Sequence, residues 1–170
     1  KLDFKSIRMS PSQIPFIKPK LMVKEGDSVH IGSEVFYDKK NPDLKFLSPA
    51  AGKVESIVFG PKRIIESIGI AVDQQEKAIN LIDDKDASID KLSRESLVAL
   101  LHKTGLWGVI RELPFNNIPS ADTIPPSIYI TVDSDEPYMP LSEVYLKDRI
   151  EEFKLGLSIL GKLSEGNIHV

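Results

Sequence analysis

The chain has 170 residues, a length that allows one large domain or two small ones. Its net charge is −3 and its basic residues are scattered along the sequence, so nothing in the charge pattern indicates a nucleic-acid-binding protein. The absence of cysteine excludes disulfides and thiolate-ligated clusters within these residues, and no apolar run approaches the ~20 residues of a membrane-spanning helix.

Short β-strands separated by turn residues are predicted between residues 21 and 72. Gly26 with Asp27, and then Gly32, precede a β run at residues 34–37, and the segment Ser-Pro-Ala-Ala-Gly at residues 48–52 precedes the next one. This order of turns and strands resembles the barrel-sandwich hybrid of lipoyl and biotinyl carrier domains. The resemblance raises the question of whether the chain carries a modified lysine.

The segment at residues 38–42, Asp-Lys-Lys-Asn-Pro, offers an Asp-Lys pair of the kind that lipoyl domains carry at a hairpin apex. The sequence separations on either side of Lys39 do not match a symmetric hairpin, and Pro42 has no N–H for a strand ladder. We therefore expect Lys39 to lie away from the apex. Lys39 and Lys40 are expected to be solvated loop charges that carry neither lipoyl nor biotin.

A longer half-buried strand is predicted at residues 63–72, where alternation places Ile64, Ile68 and Ile70 on one face. The polar residues 73–90 that follow are predicted to be a linker. Ser93 is then the expected N-cap of a helix that ends at Gly105.

The second half of the chain changes to an α/β pattern. A β-branched strand is predicted at residues 127–132, an amphipathic helix at residues 147–163 that Gly166 stops, and a further strand from residue 168. Strand, helix and strand form a βαβ unit, which belongs to a parallel sheet larger than these residues can build. The chain is therefore expected to be part of a longer protein.

The segment at residues 104–115 resembles the flavin-binding half of the NADH-oxidising subunit of respiratory NADH dehydrogenase and of the C subunit of Rnf complexes. In those families a glycine-rich loop lets backbone N–H groups approach the FMN phosphate. Here Val, Ile, Arg and Glu occupy residues 109–112 instead. Gly105, Gly108 and Arg111 thus mark a degenerate nucleotide loop, and we expect it to bind neither FMN nor NADH.

Trp107 has two interpretations: it stacks on a quinone or flavin ring, or it anchors packing beside a helix end, which is the commoner role and the one we favour. Arg111 could pair with a partner's carboxylate or phosphate, although a surface ion pair is commoner. The acidic residues Asp133, Asp135 and Glu136 are candidates for a cation site, but a solvated acidic loop is the more frequent outcome.

Neither a metal site nor a catalytic group is predicted in this chain. His30, His102 and His169 show no metal-ligand spacing. No nucleophile, base and orienting acid occur at a recognisable spacing.

Taken together, the barrel-sandwich segment, the Gly-Leu-Trp loop and the βαβ unit resemble the A subunit of the Na+-translocating NADH:quinone reductase, from about Pro19 to the end of the chain. The resemblance implies a peripheral subunit on the cytoplasmic side of a bacterial inner-membrane complex, which oxidises NADH, reduces ubiquinone and exports Na+. It also implies that the flavins and the other redox groups lie on other subunits, that the membrane-embedded B subunit is a partner, and that ubiquinone is a candidate ligand.

The predicted organisation has three parts: a barrel-sandwich hybrid module at residues 1–73, a linker and helix at 74–104, and an incomplete Rossmann-like α/β domain at 105–170. Two alternatives remain, an FMN- and NADH-binding Rnf-type C subunit and a lipoyl-type carrier. Because a subunit without a membrane span must reach its complex through surface contacts, four cations on hairpins are the candidates for docking to a partner: Lys39, Lys40, Lys62 and Arg63.

Overall fold

The fold is taken from a computed structural model, which describes residues 5–82, 91–133 and 137–170. The chain divides into two compact units. The first comprises Lys1–Lys85 and Leu100–Pro119, and the second comprises Asp86–Ala99 and Ser120–Val170.

The first unit is built from two antiparallel sheets. Its strands are β1 (Ser6–Met9), β2 (Pro19–Leu21), β3 (Ser28–Val29), β4 (Glu34–Asp38), β5 (Asn41–Leu47), β6 (Gly52–Phe59) and β7 (Ile65–Val72). One sheet has the strand order β1-β7-β6-β3 and the other β2-β4-β5. This is the predicted barrel-sandwich arrangement, with β1 and β3 at the edges of one sheet and β2 and β5 at the edges of the other.

The core of this unit lies between the two sheets, because both sheets contribute to one buried cluster. Its members are Val29, Val35, Phe36, Val54, Ile65, Ile68 and Ile70. Phe36 also stacks on Phe46 of the neighbouring strand, with ring centroids 4.6 Å apart. Gly52 is required where β6 begins, because a Cβ there would collide with the backbone carbonyl of Ala71.

The β4–β5 hairpin differs from the prediction. Asp38 pairs with Asn41, so Lys39 and Lys40 form the two-residue turn at the apex, and the expectation that Lys39 lies away from it was wrong. Pro42 lies within β5, yet the next paired residue is Lys45. The proline therefore falls in an irregular stretch of the ladder, where its missing N–H costs no hydrogen bond.

The strand β7 also differs in the side chains that it buries. Ile68 and Ile70 are fully buried as predicted, but Ile65 replaces Ile64, which is 51% exposed. The register shifts between Val58 and Phe59 on the partner strand, and the shift changes which side of the sheet the first residues of β7 face. The prediction of strict alternation back to residue 64 was therefore wrong.

The helix α1 (Arg94–Lys103) has the predicted boundaries. Ser93 caps it, since its Oγ accepts a hydrogen bond from the backbone N–H of Ser96 at 3.2 Å. A backbone hydrogen bond to its carboxylate lowers the pKa of Glu95 in the first turn, and a hydrogen bond from the Ser93 hydroxyl lowers it further. Gly105 ends the helical segment with a φ of +72°.

The second unit contains the predicted parallel strands, β8 (Ser127–Tyr129) and β9 (Asn167–His169), with two helices between them, α2 (Ser142–Leu146) and α3 (Ile150–Gly161). The predicted helix at residues 147–163 corresponds to α3, which begins three residues later than predicted because Arg149 has a non-helical backbone, and the short helix α2 before it was not predicted. The strand β8 is also shorter than predicted, since β9 offers only three residues to pair with it. The α/β character of this half is confirmed.

No helix within residues 5–82, 91–133 and 137–170 has the length and apolar character that crossing a bilayer requires.

Candidate functional site

The tip of the β4–β5 hairpin is organised around a buried carboxylate. Asp38 is 5% exposed, and its Oδ1 accepts hydrogen bonds from the backbone N–H groups of Lys18 at 2.7 Å and Lys40 at 3.1 Å. Lys39 and Lys40 are both exposed, and Lys40 donates a hydrogen bond from Nζ to the backbone carbonyl of Phe16 at 3.0 Å. Hydrogen bonds to Asp38 and to the carbonyl of Phe16 therefore stabilise the turn that presents these two docking candidates.

The other two docking candidates lie on a second tip, between β6 and β7. Lys62 and Arg63 are exposed, and both have positive φ, +56° and +58°. Each such non-glycine residue costs about 1 kcal/mol or more in backbone strain. In the part of the chain that the structure describes, neither side chain has a hydrogen-bond or ion-pair partner.

Apolar side chains surround this second tip. Val58, Phe59 and Ile64 are 45%, 49% and 51% exposed. An exposed aromatic side chain beside an arginine is typical of protein–protein interfaces, in which both residue types are enriched. The two hairpin tips thus differ: the β4–β5 tip carries lysines, and the β6–β7 tip adds an apolar surface to its charges.

The degenerate nucleotide loop packs on the sheet β2-β4-β5. Residues Leu106–Val109 form a 3₁₀ turn, and a Cβ at Gly108 would lie 3.2 Å from a ring carbon of Phe46. A Cβ at Gly105 would lie 3.1 Å from the side chain of Leu47. Both glycines therefore lie closely against β5, and Gly105 in addition has the left-handed backbone that ends α1.

Trp107 lies inside this loop and is 3% exposed. Its indole stacks on His102 and donates a hydrogen bond to the carbonyl of Pro119 at 2.9 Å. His102 in turn places Nδ1 3.3 Å from the carbonyl of Asp43. A buried ring that is stacked on a neighbour and hydrogen-bonded at its edge is a packing anchor, which is the interpretation that the sequence favoured.

Arg111 is folded onto its own loop. Its Nη1 donates hydrogen bonds to the carbonyl of Gly108 at 2.6 Å and to that of Ile110 at 2.9 Å. These contacts replace the surface ion pair that the sequence favoured. They direct the guanidinium at carbonyls, so it would have to leave them before it could bind a phosphate.

The acidic segment after β8 is described only in part. Asp133 accepts a hydrogen bond at Oδ1 from the backbone N–H of Ser142, where α2 begins, whereas Asp135 and Glu136 lie outside the described residues. Among the described residues, no three histidine, aspartate or glutamate side chains are grouped as a metal site requires. His30 is exposed, and His169 stacks on Tyr129 at 4.7 Å.

One set of surface residues was not predicted from the sequence. Lys18 and Lys20 lie on β2 or just before it, and the pairing of β2 with β4 brings them beside Lys39 and Lys40. The signal was present in the sequence, since the lysines at positions 18, 20 and 24 alternate with apolar residues at 17, 19, 21 and 23.

Comparison with known proteins gives two family matches. Residues 1–73 match the NqrA N-terminal barrel-sandwich hybrid domain, and residues 92–170 match the NqrA second alpha/beta domain. The second match includes residues 100–119, which pack with the first compact unit.

Curated relatives are named as the A subunit of Na(+)-translocating NADH-quinone reductase. The relative from Histophilus somni (strain 2336) is 35% identical over 154 residues, which are 91% of this chain and 34% of the relative. Those from Neisseria gonorrhoeae (strain NCCP11945) and Photorhabdus laumondii are 36% and 37% identical over the same shares. The chain therefore spans about a third of the length of these relatives.

Proposed function

Because the chain belongs to the family formed by the A subunit of Na(+)-translocating NADH-quinone reductase, we propose that it is a peripheral subunit of a bacterial membrane complex. This complex oxidises NADH, reduces ubiquinone and couples the reaction to Na+ export. The chain lies on the cytoplasmic side of the inner membrane and contacts the membrane-embedded B subunit. The reaction belongs to the assembled complex, in which other subunits hold the redox groups.

The role of the two loop glycines supports the proposal that this segment holds no flavin. A phosphate-binding loop needs glycine so that backbone N–H groups can reach the phosphate. In this chain Gly105 instead takes the left-handed backbone that ends α1, and Gly108 packs closely on Phe46. Arg111, the one cation of the loop, is held by carbonyls of the same loop. The two glycines and Arg111 therefore have roles in the fold that do not require an FMN site.

The β6–β7 tip is the part of the barrel-sandwich unit that best fits contact with another subunit. Phe59 and Ile64 offer apolar area that is already partly exposed, and Arg63 can make bidentate contacts with a carboxylate. Backbone hydrogen bonds close the turn, from Gly60 to the carbonyl of Ile64 at 2.8 Å and from Arg63 to that of Gly60 at 3.1 Å, and a turn closed in this way loses less conformational entropy on binding.

Co-purification tests membership of the complex. The chain is tagged in its host, the membranes are solubilised in mild detergent, and the purified fraction is assayed for NADH:quinone reductase activity. We expect membrane subunits, flavin and activity to elute with the tag, and Na+ uptake on reconstitution into vesicles. A tagged chain that is stably produced yet elutes without membrane subunits would overturn the proposal.

A flavin titration tests the absence of a cofactor site separately. The purified chain is titrated with FMN and with NADH while intrinsic and flavin fluorescence are followed. We expect no saturable binding. Stoichiometric FMN binding at low micromolar concentration that is lost in Arg111→Ala would assign a cofactor to this loop.

A further inference from the structure

The outer face of the edge strand β2 is rich in lysine. From Phe16 to Lys24 exposed and half-buried side chains alternate without a break. The half-buried set, which includes Ile17 and Leu21, packs on the core. The exposed set is Phe16, Lys18, Lys20, Met22 and Lys24.

Strand pairing brings the lysines of β2 next to those of the β4–β5 tip. The backbone N–H of Lys39 donates to the carbonyl of Lys18 at 2.8 Å, and Lys40 reaches the carbonyl of Phe16. Lys20 is paired with Tyr37, and its Nζ lies 5.4 Å from the centre of that ring. Lys18, Lys20, Lys39 and Lys40, with the exposed ring of Phe16, are called the lysine face below.

The lysine face has little opposing charge nearby. Asp38, the carboxylate closest in the fold, is buried and turned toward backbone N–H groups. Glu34 is engaged with Lys45 on the same sheet, and Asp43 is exposed beyond the turn. The chain as a whole has a net charge of −3, so these four cations form a positive surface on an acidic protein.

The residue types indicate what this surface binds. Protein–protein interfaces are depleted in lysine and enriched in arginine, because the guanidinium makes directional bonds. Flexible lysines instead suit a surface of diffuse negative charge, such as anionic headgroups, to which each basic residue near the surface adds attraction. Phe16 is 65% exposed, and its carbonyl accepts a hydrogen bond from the Lys40 ammonium, so an exposed aromatic residue lies next to Lys40. Such a ring can enter the headgroup region.

We propose that the lysine face docks the barrel-sandwich unit onto the surface of an anionic phospholipid bilayer. The contact is peripheral: lysines meet headgroups and Phe16 enters the interface, while the strands remain outside the bilayer. This inference does not depend on the proposed membership of a reductase complex, because the isolated chain would already bind such a surface.

Vesicle binding tests the proposal. The purified chain is sedimented with vesicles of phosphatidylcholine containing phosphatidylglycerol, and with phosphatidylcholine alone, across a salt series. We expect binding only to the anionic vesicles, with a partition coefficient that falls as salt rises. The variant Lys18→Gln, Lys20→Gln, Lys39→Gln, Lys40→Gln should lower that coefficient at least about tenfold. Phe16→Ala should lower it a few-fold, whereas Phe115→Ala, at a ring that is 74% exposed elsewhere, should not.

A matched control separates a specific face from net charge. Lys53→Gln, Lys77→Gln, Lys91→Gln, Lys147→Gln removes the same total charge at four exposed positions outside the lysine face. It should bind like the unaltered chain, and circular dichroism should show both variants folded. Absence of binding to anionic vesicles at low salt would overturn the proposal. Equal losses in the two quadruple variants would also do so, and a loss of assembly with other subunits without vesicle binding would assign the lysine face to a protein partner.

Discussion

The indole of Trp107 stacks on the imidazole of His102, with ring centroids 5.0 Å apart and an angle of 21° between the planes. His102 lies at the end of α1 and Trp107 lies in the turn that follows Gly105, so the stack closes the loop back on the helix. The sequence could predict that Trp107 packs beside a helix end. It could not predict the partner, because the contact depends on the left-handed backbone at Gly105.

Trp107 is expected to contribute mainly to stability. Trp107→Ala should lower the free energy of unfolding by about 3–5 kcal/mol, since it removes a large buried ring and leaves a cavity. Trp107→Phe should cost less because it retains a ring against His102, although it loses the hydrogen bond to Pro119 and part of the buried volume of the indole. Urea unfolding followed by circular dichroism measures both. As a control, Phe115→Ala, at an exposed ring, should change the free energy of unfolding by no more than about 0.5 kcal/mol. An effect of Trp107→Ala that is equally small would contradict its packing role.

Asp38 is expected to stabilise the β4–β5 tip through its two backbone hydrogen bonds. Asp38→Ala should destabilise the fold by about 1–3 kcal/mol, because the N–H groups of Lys18 and Lys40 lose their acceptor. Asp38→Asn should cost less, since one oxygen still accepts. Chemical denaturation is the measurement. Asp27→Ala is the control, because Asp27 accepts one comparable hydrogen bond, from the backbone N–H of Lys24 at 3.0 Å, in a more exposed place. If both substitutions lower the free energy of unfolding equally, Asp38 does not stabilise the tip more than an exposed turn aspartate does.

Local sequence signals predicted the strands of the barrel-sandwich unit, but they did not predict which residues of neighbouring strands pair with each other. Turn residues such as Gly26 and Gly32 mark strand ends in the sequence, and both have positive φ. The irregular ladder after Asn41 was hidden, because a proline in a strand argues against pairing unless the register is known. This argument from the proline, together with the sequence separations on either side of Lys39, placed Lys39 away from the apex in the prediction.

The lysine face likewise could not be predicted from local sequence signals. The lysines are scattered in sequence, and the pairing of β2 with β4 gathers them on one surface. The loop glycines were interpreted from their pattern as a lost phosphate loop, but their packing on Phe46 and Leu47 is a long-range contact that no local window contains. Local periodicity predicts which side of a strand faces solvent, whereas charge clusters depend on the neighbours of that strand.

Lys39 and Lys40 are expected to remain unmodified even though they occupy the apex. The turn is irregular on the β5 side, and Lys40 is bonded to the carbonyl of Phe16, so the apex differs from the symmetric hairpin that a lipoyl ligase recognises. Intact mass spectrometry of the chain produced with active lipoyl and biotin ligases should give the mass of the sequence alone. A lipoyl increment that disappears in Lys39→Ala would reverse this interpretation.

The two hairpin tips are expected to act on different partners. Lys62→Ala combined with Arg63→Ala should weaken assembly with the other subunits by about 1 kcal/mol for each charge and make assembly less sensitive to salt, as charges at an interface rim do. Lys39→Ala combined with Lys40→Ala should change assembly less, because we assign that tip to a lipid surface. Reconstitution across a salt series, with each pair tested alone, measures the difference. If assembly is unchanged in the Lys62 and Arg63 variant at every salt concentration, those residues do not contact another subunit. If the Lys39 and Lys40 variant instead weakens assembly more, the β4–β5 tip is the one that contacts another subunit.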